Sequence, residues 1–133
     1  GASLTRPLTK ADGWLDWTRP AVELERHVRA MWPWPRAWST VDDVPLQVHR
    51  ARVVDDDVSG MTPGSVIPDK RRIVIATGHG ALELLIVEPA ARRAMSAQAY
   101  LNGRRVPLLH LGGSGAPPSQ PPLVVPVTAP ADG

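Results

Sequence analysis

The sequence predicts a mainly β protein: a small barrel of five to six short strands, with one helix near each end. Two observations predict it. Through the middle of the chain, apolar and polar residues alternate in short runs, and turn signals (Asp42-Asp43, Pro68-Asp69-Lys70, Gly78-His79-Gly80) separate them. Helical spacing shows only at Ala21, Leu24, Val28 and Met31, and again briefly after Ser96.

Residues 4–17 read as an extended linker that ends in Trp14-Leu15-Asp16-Trp17. Thr18 is the expected N-cap of the first helix, with Pro20 in its first turn. That helix should stop at Trp32, because a residue before proline avoids the helical region. The stretch Arg29–Trp38 holds three of the five tryptophans and two prolines, and predicts a rigid corner from helix to strand. We expect the five indoles to be buried anchors around it.

Ala37–Val41 and Val44–Val54 read as strands joined by the two-residue turn Asp42-Asp43. Pro45 suggests an edge position there. Val44, Leu46 and Val48 share one face, while Ala51 and Val53 fall on the opposite phase. A bulge near His49-Arg50 would bury both sets. Gly64–Ile67, Arg71–Ala76 and Ala81–Val87 complete the expected strands, the last with Leu82, Leu84 and Ile86 on one face. Glu88–Arg93 reads as a loop. Ser96 should cap a short helix over Ala97–Leu101 that ends at Asn102-Gly103. An OB-like, open Greek-key barrel fits this strand number and length.

These boundaries divide the chain into a linker segment (1–17), a barrel domain (18–111) and a Pro-rich tail (112–133). Gly1-Ala2-Ser3 has the make-up of a tag remnant. The tail opens with Gly112-Gly113-Ser114-Gly115 and should be extended.

The chain has 133 residues and no cysteine, which excludes disulfides and thiolate metal sites. Its four histidines are scattered, so a zinc cluster is not expected. Apolar runs are too short for a membrane span, and the first residues lack a signal-peptide pattern. A cytoplasmic monomer without membrane contact is the expectation. Residues 61–105 hold seven Lys/Arg against three Asp/Glu, whereas residues 1–60 are nearly balanced. Thirteen of the fifteen basic residues are Arg, whose planar fork suits phosphate oxygens.

The corner resembles the C-terminal domain of methionyl-tRNA formyltransferases, where a helix runs into Asn-Pro-Trp-Pro and then a strand. Trp32 stands where that family usually has Asn, and Arg36 where it often has Gly. Four further segments are similar to the family in the same order. They are Leu8–Trp17, Pro63-Gly64-Ser65-Val66, Ala76–Leu82 (with His79 in place of Asp) and Glu88–Gln98 with Asn102-Gly103-Arg104.

The resemblance implies an OB-like accessory domain that holds initiator tRNA for an N-terminal catalytic domain. In that family the catalytic domain binds 10-formyltetrahydrofolate and formylates the amino group of methionyl-tRNA. The catalytic residues would lie in that absent domain. No cofactor, metal or catalytic residue is expected in this chain.

Holding an acceptor arm needs chiefly phosphate contacts. The candidates are Lys10, Arg36, Lys70, Arg71, Arg72, Arg92, Arg93, Arg104 and Arg105. Arg92 and Arg93 rank first, because they fall where the family carries paired basic residues. For any single one, ordinary surface charge competes with this reading. A bracing role without RNA contact stays open, as in related sugar N-formyltransferases or formyltetrahydrofolate dehydrogenases.

Overall fold

The computed structural model describes residues 9–112. Its elements run in chain order as a 3-10 turn Lys10–Gly13, α1 Ala21–Ala30, β1 Ala37–Val41, β2 Val44–Val54, β3 Ile73–Ala76, β4 Ala81–Pro89, β5 Met95–Ser96 and α2 Ala97–Asn102. Every strand pair is antiparallel. The order is β1-β2-β4-β3, and β5 pairs with β4 at Ile86 and Val87, past the end of β3. The result is the expected mainly β fold, a curled five-stranded half-barrel with a helix near each end.

The β1–β2 hairpin has the expected bounds. Asp42 and Asp43 both have positive φ, 52° and 67°. A two-residue hairpin turn that matches strand twist requires this, and Asp tolerates it better than most residues. β2 nevertheless lies inside the sheet, between β1 and β4. Pro45 is accommodated because pairing with β4 begins only at Leu46.

The bulge expected near His49 is present. Val48 pairs with Val87 and Arg50 with Ile86, so His49 is an extra residue on β2. Ala51 then pairs with Leu84, which leaves Leu85 extra on β4. The second irregularity changes the expected face of β4: Leu82, Leu84 and Val87 are fully buried, whereas Ile86 is only partly so. On β2, Ala51 reaches the core, but Val53 is exposed.

The helix boundaries differ from expectation. Pro20 is the N-cap of α1 and makes no side-chain cap, while the Thr18 hydroxyl donates to Asp16 Oδ1 at 2.6 Å. The helix ends at Ala30 rather than Trp32, and the Arg36 amide donates to the Met31 carbonyl at 2.7 Å to close the corner. α2 starts as expected, with the Ser96 Oγ accepting from the Ala99 amide. The linker is not wholly extended: Lys10–Gly13 forms one 3-10 turn, with Asp12 Oδ2 accepting from the Thr9 amide.

α1 places Ala21, Leu24 and Val28 against the sheet, and these join Leu46, Val48, Ile73, Ile75, Leu82, Leu84 and Val87 in one core. Segment 64–67 is not a full strand; it touches its neighbours through single bridges, Ser65 to His110 and Val66 to Ile75. Gly112 bridges Thr40 of β1 in turn. Together these bridges join β3 to β1 across the open side of the sheet. Trp17 lies at the seam, fully buried, and its Nε1 donates to the Gly112 carbonyl at 2.8 Å. A Cβ on Gly112 would sit 2.2 Å from Thr40 Oγ1, so any larger residue would have to displace that hydroxyl. The tail beyond it lies outside the described residues.

Candidate nucleic-acid interface

The candidate cations fall into groups that the fold separates. Lys10 and Arg36 lie at the corner. The Lys10 carbonyl accepts from Trp38 Nε1 at 2.7 Å, and its ammonium lies 5.7 Å from the centre of that indole ring. Arg36 has φ 75°, in the left-handed region that favours glycine. Its guanidinium donates to the Pro33 carbonyl and to Gln47 Oε1. It also lies 3.4 Å from Glu88 Oε1 and 4.7 Å from the centre of the Trp32 ring. Lys10 and Arg36 share a groove of about 290 Å³ with Trp34, Trp38 and Gln47. Arg36 is the more firmly held, so Lys10 is the freer cation of the two.

A second group surrounds α2. Arg104 Nη1 donates to the Tyr100 hydroxyl at 3.2 Å, and Nη2 lies 3.8 Å from Asp42 Oδ2. Arg104 lines two grooves, one with Val44, Pro45, Pro89 and Tyr100, the other with Lys70, Arg105 and Leu109. It therefore sits between the end of β4 and the Lys70 turn. Lys70 and Arg105 are exposed there.

Arg71 is exposed beside Lys70, but Arg72 is engaged. Its guanidinium lies 2.8 Å from Asp56 and 3.3 Å from Asp69. The hydrogen bonds it donates to the Asp56 and Asp69 carboxylates hold its pKa above the ordinary arginine value. The amide of Arg71, then that of Arg72, holds the Asp69 carboxyl below its usual range. Arg92 and Arg93 lie exposed on the turn between β4 and β5. Among the described residues, neither side chain has a hydrogen-bond or ion-pair partner.

The structure corrects the expectation for the indoles. Trp14, Trp17 and Trp38 are buried, and the Trp14 and Trp38 rings meet edge to face at 4.7 Å. Trp32 and Trp34 are 47% and 59% exposed. The corner turns its two proline-flanking indoles outward instead of into the core.

Sequence reasoning paired Arg29 with the helix acids, as it is with Glu25, but passed over Arg50 and Arg52. With Trp32 and His49 they line a cavity of about 610 Å³ whose floor includes Val28, Ala51, Leu85 and Ile86. The signal was available: Arg50 and Arg52 sit two apart on β2, so they share its outer face. His49 lies 3.1 Å from Glu88 Oε1 through its Nε2. Burial pushes its pKa down and the Arg36 charge adds to that, against the opposing pull of Glu88. Among the described residues, no group of His, Asp and Glu is arranged to hold a metal ion, and no helix is long and apolar enough to cross a membrane.

A curled β half-barrel with cations on its turns and helix ends defines a class of small β modules. Within that class the chain belongs to a known family: residues 7–105 match the family described as "Formyl transferase, C-terminal domain". Solved structures of similar fold include two variants of HypX from Aquifex aeolicus. Each has a TM-score of 0.59 at 19% identity, over 72% and 74% of this chain. HypX in complex with tetrahydrofolic acid is similar at a TM-score of 0.57 and 21% identity, over 72% of this chain. At these identities the likeness concerns the fold. This chain covers only 17% to 18% of those proteins.

Proposed function

We propose that this domain holds initiator tRNA for a methionyl-tRNA formyltransferase. The catalytic partner would be an N-terminal domain that uses 10-formyltetrahydrofolate. One observation supports this above the rest. Arg92 and Arg93 are adjacent, exposed and unpaired among the described residues, on a turn that carries no acidic neighbour between Pro89 and Ser96. Lys70, Arg71 and Arg105 extend the supply of free cations. Arg36, Arg72 and Arg104 contribute less, because carboxylates, carbonyls or the Tyr100 hydroxyl already occupy them. Duplex RNA exposes its backbone and shape rather than readable base edges, so unpaired arginines are the appropriate chemistry.

Fluorescence anisotropy with initiator tRNA tests the reading. Binding should be weak and should fall steeply with salt, since each phosphate neutralised by a cation releases counterions. No binding at low salt would sink it. The bracing reading draws on the internal use of Arg36, Arg72 and Arg104. It predicts that reversing the charge of Arg92 and Arg93 in the whole enzyme leaves KM for tRNA unchanged.

A further inference from the structure

We infer that the groove between α1, β2 and β4 is a second nucleic-acid site, one that takes an unstacked nucleotide of single-stranded RNA against Trp32 and its phosphate against Arg50. The inference rests on the RNA-binding reading above; of the residues named there it uses only Arg36, as a support for Trp32. Glu25, Val28 and Arg29 share one side of α1, and Trp32 follows just past its end, so together they form a wall. The opposite wall is β2 from His49 to Arg52, with Leu85 and Ile86 of β4. Both bulged residues, His49 and Leu85, therefore line the groove. Bulges re-aim side chains and loosen the ladder, which opens space here beside the helix.

Three features fit this occupant. The cavity of about 610 Å³ is large enough for a nucleotide and has an apolar floor. Its aromatic wall is Trp32, 47% exposed, with the His49 ring 4.8 Å away and tilted by 55°. Arg36 packs over the indole at 4.7 Å and holds it in place. The rim is basic. Arg29 is matched by Glu25 at 2.8 Å and Arg52 by Glu83 at 2.8 Å, which leaves Arg50 exposed with no partner among the described residues. An aromatic platform beside a free cation is how single strands are held without base-edge readout. An acidic peptide would use the cation but would gain less from an indole.

The test is anisotropy of a labelled adenosine hexanucleotide with the full 133-residue chain, alongside a blunt RNA hairpin and a hexaglutamate peptide. Trp32→Ala should weaken hexanucleotide binding about fivefold or more, by the usual strength of base–indole stacking. Trp32→Phe should recover most of that loss. Arg50→Gln should weaken binding and lower the salt slope by about one contact. Trp34→Ala should change nothing. Hexanucleotide binding that is indifferent to both Trp32→Ala and Arg50→Gln overturns the inference, as does hexaglutamate competing equally well. Failure of the hexanucleotide while the hairpin binds through Arg92 and Arg93 removes this site but leaves the proposed function standing. Failure of both probes removes both.

Discussion

The seam at Trp17 and the corner at Trp32–Trp34 use the same residue type in opposite ways. At the seam two buried indoles give their ring N–H a polar partner: Trp17 donates to the Gly112 carbonyl, Trp38 to the Lys10 carbonyl. Around the corner Trp32 packs with Arg36 and His49, and Trp34 faces outward beside Lys10. An indole is buried at little penalty where its N–H finds an acceptor, and stays partly exposed where flanking prolines hold the backbone at the surface. The difference separates what holds the barrel shut from what the barrel offers to a partner.

The largest effect should come from breaking the seam. Trp17→Ala removes a fully buried ring together with its hydrogen bonds to Gly112 and Ser39, and should cost about 3–5 kcal/mol in a denaturant melt. Trp34→Ala, at the exposed corner, should shift the same melt by no more than about 0.5 kcal/mol. Equal losses at the two positions would erase the contrast. Next comes Gly78, where a Cβ would lie 1.8 Å from the Thr18 carbonyl oxygen. Gly78→Ala should destabilise by about 1–3 kcal/mol, because backbone has to move where the linker crosses the β3–β4 turn.

On the partner-facing side, Arg92→Glu with Arg93→Glu should leave the melting temperature nearly unchanged. It should raise the Kd for tRNA at least tenfold at low salt and flatten the salt dependence, as read by anisotropy across a salt series.

The smallest effect should be pH-dependent. Burial lowers the folded-state pKa of both His27 and His49. The unfolded chain therefore takes up protons first as pH falls below the ordinary value of 6.5. Stability should be full above that value and decline below it, and levels out once the folded histidines also protonate. His49→Gln should flatten part of that decline in melts between neutral and mildly acidic pH; an unchanged slope would assign the effect to His27 or to carboxylates.

Much of the fold was legible because alternation and turn chemistry are local. Asp42-Asp43, the His49 bulge and the Ser96 cap all follow from neighbours in sequence. The compensating irregularity at Leu85 was not legible, since it depends on the register of β4 against β2. It moved Val87 into the core in place of Ile86. The same holds for the site. Arg92 and Arg93 stand out through the family resemblance at that point, and the turn leaves them exposed. The engagement of Arg72 was not legible, because Asp56 and Glu83 reach it from distant parts of the chain. Trp32 and Trp34 misled because indoles usually serve burial. Their exposure depends on the corner's path through Arg36, whose positive φ no propensity announces.

The Trp17–Gly112 contact has a mechanical consequence. It clasps the chain's entry into the barrel to its exit, with the two residues separated by 95 positions in sequence. Tension between whatever precedes Lys10 and whatever follows Gly112 would load this clasp together with the Lys10–Trp38, Leu15–Trp38 and Gly112–Thr40 contacts beside it. The barrel can therefore be tethered at both ends on one flank while its opposite faces keep their shape.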